Sequence, residues 1–225
     1  SGKYDVAARN FQESISILEH SNRKEKLAPV YNDLAKLYRK TRDLDKALVN
    51  YNKAGTIYRQ LKDTAGIAMI LNESGVVYEY MDDYREAINR YTASMQLAEK
   101  SGDSLSVSYS LSNIAGVYVI EKKYDLAEQN LLRCLRIREG LKDSFAIALA
   151  YSDLGVAMNG KGDYKKAMDY LAMSNRMAEK LKYPELQSNN YNELSSVAQR
   201  QGDFQKAFEF FTRRTRLRDS LFALE

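Results

Sequence analysis

Side-chain amides recur along this chain at or next to a fixed phase, and they could recognise another polypeptide. Asn32 and Asn72 are 40 residues apart, Asn192 keeps that phase, and Asn113 lies one residue beyond it. An amide both donates and accepts hydrogen bonds, so a row of amides can pair with an extended peptide backbone whatever the peptide's sequence. The alternative is that these amides lie on an exposed helix face and contact only water.

Few residues of this chain could carry out covalent or metal chemistry. His20 is the only histidine and lies in a polar stretch, so we expect a solvated residue in a loop or at a helix end. Cys134 is the only cysteine and stands where Ala or Ser recurs, which predicts packing and not nucleophilic reactivity. One histidine and one cysteine cannot build a usual structural zinc site, and no glycine-rich phosphate loop occurs. We therefore predict no enzymatic activity, no cofactor and no metal ion.

Composition argues against two further classes of partner. The net charge of +4 arises from 34 basic and 30 acidic residues spread along the chain, which is too weak and too mixed for a nucleic-acid interface. No apolar run reaches the length of about 18 residues needed to span a bilayer, so we predict no membrane contact within this chain. A single cysteine leaves the redox compartment open, and both a bacterial cytoplasmic and a periplasmic location are compatible with it.

A period of 40 residues determines the elements that must position these side chains. One alanine returns in every period, with a large residue three positions before it and another four positions after it. The six alanines are Ala7, Ala47, Ala87, Ala127, Ala167 and Ala207. A fixed period of this size indicates stacked copies of one supersecondary unit, each of which buries its apolar face against its neighbours.

Each period contains two helical patterns separated by short breaks. In residues 27–61, Tyr31, Leu34 and Tyr38 lie at helical spacing, and a second pattern begins at Leu44. Aspartates recur at the breaks, where a carboxylate can accept a backbone N–H of the next helix. These are Asp43, Asp63, Asp83, Asp103, Asp143, Asp163 and Asp203, and Gly162 and Gly202 fit the turns between paired helices. No strand-like alternation competes, so we predict an all-α fold of about eleven helices.

These residues resemble the tetratricopeptide-repeat signature, which runs from an aromatic or large residue through Leu, a small residue, Tyr, Ala and an aromatic to a final Ala. One copy matches it in order with Tyr31, Leu34, Ala35, Tyr38, Ala47, Tyr51 and Ala54. The resemblance implies an α-solenoid of antiparallel helix pairs wound into a right-handed superhelix. The common repeat has about 34 residues. The longer period here is similar to that of kinesin light chain and of bacterial regulators that bind signalling peptides.

We predict one array over residues 1–225, divided at the recurring breaks. Residues 1–22 align with a lone second helix of a truncated repeat, and five repeats follow at 23–62, 63–102, 103–142, 143–182 and 183–225. Because the first helix of the leading repeat is missing, we expect the chain to be part of a longer protein. In the last repeat Arg214 replaces the small residue of the signature.

The resemblance also implies a binding site, because the first helices of such repeats line a concave groove. By analogy with kinesin light chain, the amides expected to bind a peptide backbone are Asn32, Asn72, Asn113 and Asn192. A basic end is expected from Lys36, Arg39 and Lys40. An apolar centre is expected from Met69, Val76, Tyr80, Tyr109, Val119, Ile120, Leu149 and Val156, unless neighbouring helices cover several of them. The bound segment should then carry apolar anchors and an acidic end.

The predicted function is that of a non-enzymatic scaffold that binds a protein or peptide segment in this groove. Two alternatives remain open. The chain could be the extracytoplasmic sensor region of a bacterial two-component-type regulator, in which binding drives an attached output domain. It could also be a self-assembly module, a homo-oligomer formed through exposed terminal helices.

Overall fold

The computed structural model describes residues 2–21 and 23–222, and within them the chain forms eleven α-helices and no strand. The helices are α1 (Gly2–His20), α2 (Lys24–Lys40), α3 (Leu44–Gln60), α4 (Thr64–Tyr80), α5 (Tyr84–Ser101), α6 (Ser104–Ile120), α7 (Tyr124–Gly140), α8 (Ser144–Lys161), α9 (Tyr164–Lys180), α10 (Pro184–Arg200) and α11 (Phe204–Phe222). The predicted all-α fold of paired helices is confirmed. The chain divides into two compact units, Ser1–Asn113 and Ile114–Glu225, with the boundary inside α6.

The connections between helices follow one hydrogen-bonding scheme, of which the turn after α2 is an example. The Arg42 N–H donates to the Arg39 carbonyl at 3.1 Å, and the Asp43 N–H donates to the Tyr38 carbonyl at 2.9 Å. This Schellman pattern satisfies the last carbonyls of the helix. Asp43 then begins α3, because its Oδ1 accepts the Lys46 N–H at 3.4 Å. One aspartate therefore ends one helix and begins the next, so the breaks need only three residues.

A left-handed residue recurs every 20 positions at the centre of these turns. The nine positions are Arg42, Lys62, Asp82, Gly102, Lys122, Lys142, Gly162, Lys182 and Gly202. The sequence predicted only Gly162 and Gly202 in turns. A non-glycine residue pays about 1–2 kcal/mol for this conformation, because its Cβ approaches the following carbonyl. The two hydrogen bonds of the Schellman pattern and the packing of both flanking helices hold it there.

Each unit has its own apolar core between successive helices. In the first unit Tyr31, Leu34 and Tyr51 are buried together from α1 to α4. In the second unit Leu131 of α7 and Leu171 of α9 are buried with residues of α8 and α10. Helices α8 and α10 are the first helices of successive repeats, and they also contact each other. The 40-residue period therefore corresponds to an alternation of first helices and second helices, each buried against its sequence neighbours.

Small residues in the first helices let the second helices approach closely. A Cβ added at Gly75 of α4 would lie 2.6 Å from Cε1 of Tyr91, whose ring is fully buried on α5. A Cβ at Gly155 of α8 would collide with the Leu171 side chain on α9. Glycine within a helix costs about 1 kcal/mol relative to alanine. Close packing of a large apolar side chain offsets that cost at both positions.

Candidate functional site

A cleft of 470 Å³ in the first unit is lined mainly by the first three turns of α4 and the first two turns of α6. It contains three of the predicted site residues, Met69, Asn72 and Tyr109. We call it the Met69 cleft, and its lining residues are Tyr58, Asp63, Ala65, Gly66, Met69, Asn72, Glu73, Ser94, Asp103, Ser106 and Tyr109. Met69 is 38% exposed and Tyr109 48% exposed, so both present apolar surface to solvent. Adjacent exposed apolar side chains commonly mark an interaction site.

The wall of the Met69 cleft depends on a glycine at the start of α4. A Cβ at Gly66 would collide with the ring of Tyr58, which α3 presents to α4. The absence of a side chain lets the nearly buried Tyr58 ring lie flat against α4. Burial raises the pKa of the Tyr58 hydroxyl, so this wall carries no charge near neutral pH.

Two carboxylates at the edge of the cleft are helix caps. The Oδ1 of Asp63 accepts the Gly66 N–H at 2.9 Å, and the Oδ1 of Asp103 accepts the Ser106 N–H at 3.0 Å. Ser106 Oγ also donates to Asp103 Oδ2 at 2.6 Å. These hydrogen bonds from Ser106 hold the pKa of Asp103 below its usual value. The edge of the cleft is therefore acidic for a structural reason.

Two of the predicted amides are brought together by the structure. Asn113 Nδ2 on α6 donates to Asn72 Oδ1 on α4 at 3.1 Å, across 41 residues of sequence. Both side chains are half-buried. Because this bond uses only one donor and one acceptor, the Asn72 amide nitrogen and the Asn113 amide oxygen retain capacity to bind a peptide backbone.

The other two predicted amides lie elsewhere. Asn32 is only 3% exposed, and its amide oxygen is buried without a hydrogen-bond partner. Asn32 therefore presents almost no surface to a ligand, and its role in peptide binding stays a prediction. The reason for its burial is its place on α2, four residues after Ala28 and three before Ala35, both of which are fully buried. Asn192 is exposed on α10 in the second unit.

A second cavity of 450 Å³ lies where α2 and α4 end. It gathers four predicted residues, and a fifth, Arg42, was not predicted. We call it the basic pocket, and it is lined by Lys36, Arg39, Lys40, Arg42 and Tyr80. Arg42 escaped the sequence reasoning because it lies in the break between the helical patterns. The recurrence of Lys or Arg at this turn position, seen again at Lys122, was the available signal.

The cations of the basic pocket differ in how strongly they are already paired. Arg39 Nη2 lies 3.0 Å from Glu73 Oε2, and Lys36 Nζ lies 3.5 Å from Asp33 Oδ1. Lys40 and Arg42 are exposed, and in residues 2–21 and 23–222 neither has a carboxylate partner. These two side chains are therefore the ones available to an acidic ligand.

Tyr80 orients one of the available cations. The Arg42 guanidinium carbon lies 4.2 Å from the centroid of the exposed Tyr80 ring, within the range of a cation–π interaction. The left-handed backbone of Arg42, with φ of 64°, presents the side chain toward α4. This contact reduces the freedom of the guanidinium before any ligand arrives.

Glu73 connects the two cavities. Its Oε2 accepts hydrogen bonds from Arg39 at 3.0 Å and from the Tyr51 hydroxyl at 3.2 Å, and the same residue lines the Met69 cleft. Burial raises the pKa of Tyr51 further above its usual value, so this hydroxyl remains a donor. Helix α4 is the shared wall, and Met69 and Tyr80 are about 16 Å apart along its axis at 1.5 Å per residue.

The remaining predicted residues are distributed along both units. Val76 is half-buried on α4. In the second unit Ile120 is exposed, whereas Val119, Leu149 and Val156 are half-buried. Neighbouring helices thus cover part of the apolar centre that the sequence predicted.

The residues considered for chemistry are not arranged for catalysis. Cys134 is fully buried, and burial raises the pKa of its thiol to about 11. His20 ends α1, where its Nδ1 lies 2.6 Å from the Ser16 carbonyl oxygen. Within the described part of the chain, no group of His, Cys, Asp and Glu side chains could hold a metal ion. Over the same residues, no helix has the length and apolarity to cross a bilayer.

Family models described as tetratricopeptide repeat match residues 66–140 and 106–180, and a further one matches residues 28–60. The chain belongs to the tetratricopeptide-repeat family. Members of this family are typically protein-interaction scaffolds. A search of curated protein sequences finds no significant match.

Solved tetratricopeptide-repeat structures share the fold. BtubC (BKLC) from P. vanneervenii is 22% identical, with a TM-score of 0.82, and the alignment covers 97% of this chain and 90% of that one. A Rap protein complexed with competence and sporulation factor is 17% identical, with a TM-score of 0.75 over 93% and 64% of the two chains. A putative kinesin light chain with nearly identical TPR-like repeats from Podosopora anserina is 16% identical, with a TM-score of 0.68 over 85% and 94%. These likenesses show the fold and confirm the predicted resemblance to both kinds of repeat protein.

Proposed function

We propose that this chain binds an extended peptide segment along α4, with an apolar side chain in the Met69 cleft and an acidic side chain in the basic pocket. The observation that carries the proposal is the pairing of two different cavities on one helix. One cavity presents apolar surface from Met69 and Tyr109, and the other presents Lys40 and Arg42 without carboxylate partners among the described residues.

The Met69 cleft would supply most of the affinity. Burying one Leu, Phe or Met side chain of a ligand contributes roughly 1.5–3 kcal/mol before ordering costs. Met69 suits this role because its unbranched thioether adapts to ligands of different shape. The carboxylates of Asp63 and Asp103 at the edge would disfavour an acidic side chain here, so the cleft also sets the orientation of the peptide.

The amide pair would hold the peptide backbone. Asn72 and Asn113 are joined by one hydrogen bond and retain a donor nitrogen and an acceptor oxygen. The Asn72 side chain also lines the Met69 cleft, next to the apolar anchor. Because amides recognise the backbone and not the side chains, this contact favours an extended conformation without specifying sequence.

The basic pocket would select an acidic residue of the peptide at a defined distance from the apolar residue that occupies the Met69 cleft. Met69 and Tyr80 are separated by about 16 Å along α4. An extended chain advances about 3.3 Å per residue, so about five residues separate the apolar anchor from the acidic one. Exposed ion pairs contribute only about 0.2–1 kcal/mol each, so this pocket would contribute selectivity more than affinity.

The comparison with Rap supports a ligand of this kind. That protein forms a complex with competence and sporulation factor, and its repeat fold resembles this chain over most of its length. The sensor-region and self-assembly alternatives do not follow from either cavity.

Selection from a random peptide library displayed on phage tests the proposal. Peptides enriched on the 225-residue protein should carry a large apolar residue and, about five positions away, Asp or Glu. Selection on the Lys40→Glu/Arg42→Glu variant should lose the acidic preference, whereas the Lys122→Glu variant, altered at the equivalent turn of another repeat, should keep it. Enriched peptides without the acidic position, or with the same preference on all three proteins, would contradict the proposal.

A further inference from the structure

The basic pocket concentrates more positive charge than a single carboxylate neutralises. Its four cations are Lys36, Arg39, Lys40 and Arg42. The salt bridges of Lys36 and Arg39 involve one carboxylate each. Lys40 and Arg42 have no carboxylate partner among the described residues, so two positive charges are left for a ligand. One Asp or Glu side chain would neutralise only one of them.

Aromatic rings hold both of these cations in place. The Lys40 ammonium lies 5.4 Å from the centroid of the Tyr4 ring on α1. The Arg42 guanidinium carbon lies 4.2 Å from the centroid of the Tyr80 ring on α4. An aromatic ring attracts a cation through its quadrupole and carries no net charge. The two contacts therefore restrict the side chains and leave their full charges to a ligand.

Two acids that adjoin pocket residues in the sequence have partners elsewhere. Asp43 follows Arg42, and its carboxylate accepts the Lys46 N–H at 3.4 Å and the Lys46 ammonium at 2.6 Å. Glu79 precedes the pocket's tyrosine, and its Oε2 accepts the Tyr91 hydroxyl at 3.0 Å. These bonds direct both carboxylates to neighbouring helices, so neither acid neutralises the pocket.

The repeat fold does not require four cations at this turn. The equivalent residues of the next two repeats are Val76, Glu79, Tyr80 and Asp82, then Gly116, Val119, Ile120 and Lys122. Both of those repeats form the same pair of helices, and both have the same left-handed turn between them. The cluster of cations therefore has no role common to the repeats, and binding of an anion explains it.

A phosphomonoester matches this site better than a carboxylate does. It carries about −1.5 to −2 charges near neutral pH and has three acceptor oxygens. A carboxylate carries one charge on two oxygens. A guanidinium donates two parallel N–H bonds to a phosphate, and an ammonium binds the same group as a point charge. Arg42 and Lys40 supply one cation of each kind.

We propose that the acidic residue bound in the basic pocket is a phosphorylated side chain of the peptide. This inference rests on the proposed function, because the Met69 cleft and the amide pair place an extended peptide along the same helix. Lys40 and Arg42 bind the phosphate oxygens, and Asp or Glu is a weaker substitute for the phosphorylated residue. Phosphorylation of the partner thus strengthens its binding to this chain.

Three synthetic peptides that differ at one position test the proposal. Each carries a Leu anchor and, five residues away, phosphoserine, Glu or Ser, and binding to the 225-residue protein is measured by fluorescence anisotropy. We expect the phosphoserine peptide to bind about ten-fold more tightly than the Glu peptide, because the phosphate adds charge-assisted hydrogen bonds. The Ser peptide should bind most weakly.

Variants show which cavity produces the preference for phosphoserine over Glu. Lys40→Gln/Arg42→Gln should remove most of it, whereas Lys122→Gln, at the equivalent turn of another repeat, should keep it. Tyr4→Leu should reduce it in part, because the ring that holds the lysine is lost. Tyr109→Ser alters the Met69 cleft and should weaken all three peptides alike without changing the preference. The two substituted cations are exposed, so their replacement should preserve the helical melting curve.

Other results would overturn the proposal. Equal affinities of the phosphoserine and Glu peptides, both tighter than Ser, would contradict it and leave the peptide site standing. Absence of binding by all three peptides would contradict both proposals. A preference that Lys40→Gln/Arg42→Gln leaves unchanged would place the phosphate outside the basic pocket.

A membrane could present the same phosphomonoester as a lipid headgroup. Sedimentation with phosphatidylcholine vesicles that contain phosphatidylinositol monophosphate provides this arm of the test. Binding to these vesicles, together with equal affinities for the three peptides, would assign the basic pocket to a lipid and overturn the proposal.

Discussion

The surface beside α4 is acidic near the first turn of this helix and basic near its last turn, and the two groups of charges have different origins. Near the first turn, Asp63 and Asp103 accept backbone N–H groups of α4 and α6, as acidic residues at helix N-termini commonly do. Near the last turn, the side chains of Lys40 and Arg42 line the basic pocket with Tyr80, and no capping hydrogen bond of either side chain is seen in residues 2–21 and 23–222. Hydrogen bonds from capping thus hold the acidic end in place, whereas the basic end has only the weaker attraction between cations and a helix C-terminus and the contact of Arg42 with Tyr80.

The comparison shows how a repeat fold acquires a polar binding surface. The C-terminal turns of α2 and α4 meet at the basic pocket, and the capping residues of α4 and α6 meet at the Met69 cleft. The acidic edge would exist on any array with these caps. Lys40 and Arg42 at the basic edge have no carboxylate partner among the described residues, so substitutions there should separate function from stability.

The largest expected effect lies at the wall of the Met69 cleft. Gly66→Ala should destabilise the protein by about 1–3 kcal/mol, because the new Cβ collides with the rigid Tyr58 ring. Gly116→Ala is the matched control, since no atom lies within 4 Å of its Cβ position, and it should stabilise α6 by about 1 kcal/mol. Urea denaturation measures both. The same sign for the two variants would contradict the packing described for Gly66.

A cap at the acidic end should matter more for stability than a cation at the basic end. Asp103→Ala removes an acceptor of the Ser106 N–H and should lower the free energy of unfolding by about 0.5–2 kcal/mol. Lys40→Ala should change it by less than about 0.5 kcal/mol, as exposed substitutions usually do. Thermal melts followed by circular dichroism would compare the stability losses of the two variants. A larger loss for Lys40→Ala would mean that the basic end also has a structural role.

Arg42 is expected to lower the stability of the protein while it strengthens peptide binding. Arg42→Gly relieves a non-glycine residue with φ of 64° and should stabilise the protein by up to about 1 kcal/mol, while it weakens peptides that carry the acidic residue. Lys122→Gly, with φ of 58°, should give the same stabilisation without a loss of binding. Urea titrations and anisotropy on the same samples test this pair. Equal losses of peptide affinity in Arg42→Gly and Lys122→Gly would show that Arg42 does not bind the acidic residue of the peptide.

The pH dependence of stability offers the smallest effect. The hydrogen bonds from Ser106 hold the pKa of Asp103 below its usual 3.8 in the folded state. Because the folded pKa is depressed, this contribution is present above the unfolded pKa and is lost as pH falls through the folded pKa. Asp103→Asn should therefore show a shallower loss of stability below about pH 4 than the unaltered protein. Parallel curves of the free energy of unfolding against pH for the two proteins would contradict the assignment of the lowered pKa to the hydrogen bonds from Ser106.

The sequence predicted the helices well because the residues that begin and end each helix are close together in the sequence. Aspartates in phase identify the N-terminal caps, and the structure confirms the side-chain hydrogen bond at Asp43, Asp63 and Asp83. Left-handed turns at Arg42 and Lys62 escaped prediction, because hydrogen bonds of the Schellman pattern stabilise a conformation that side-chain preference opposes. The division into five repeats stays a prediction.

The candidate site was less predictable because it depends on contacts between repeats. The same phase leaves Asn72 available and buries Asn32, and periodicity cannot distinguish the two. The bond between Asn72 and Asn113 joins residues 41 positions apart and requires the packing of α6 beside α4. Likewise, Phe211 and Tyr51 occupy equivalent positions, yet only the structure shows that Phe211 is exposed.

The most direct test of the account is the affinity of one selected peptide for two charge-reversed proteins. We expect Lys40→Glu/Arg42→Glu to weaken the peptide by about ten-fold, corresponding to 1.4 kcal/mol, and a peptide with Lys in place of its acidic residue to recover affinity for this variant. Lys122→Glu should bind both peptides as the unaltered protein does. Equal affinities across the three proteins would contradict the claim that the basic end of α4 is a binding site.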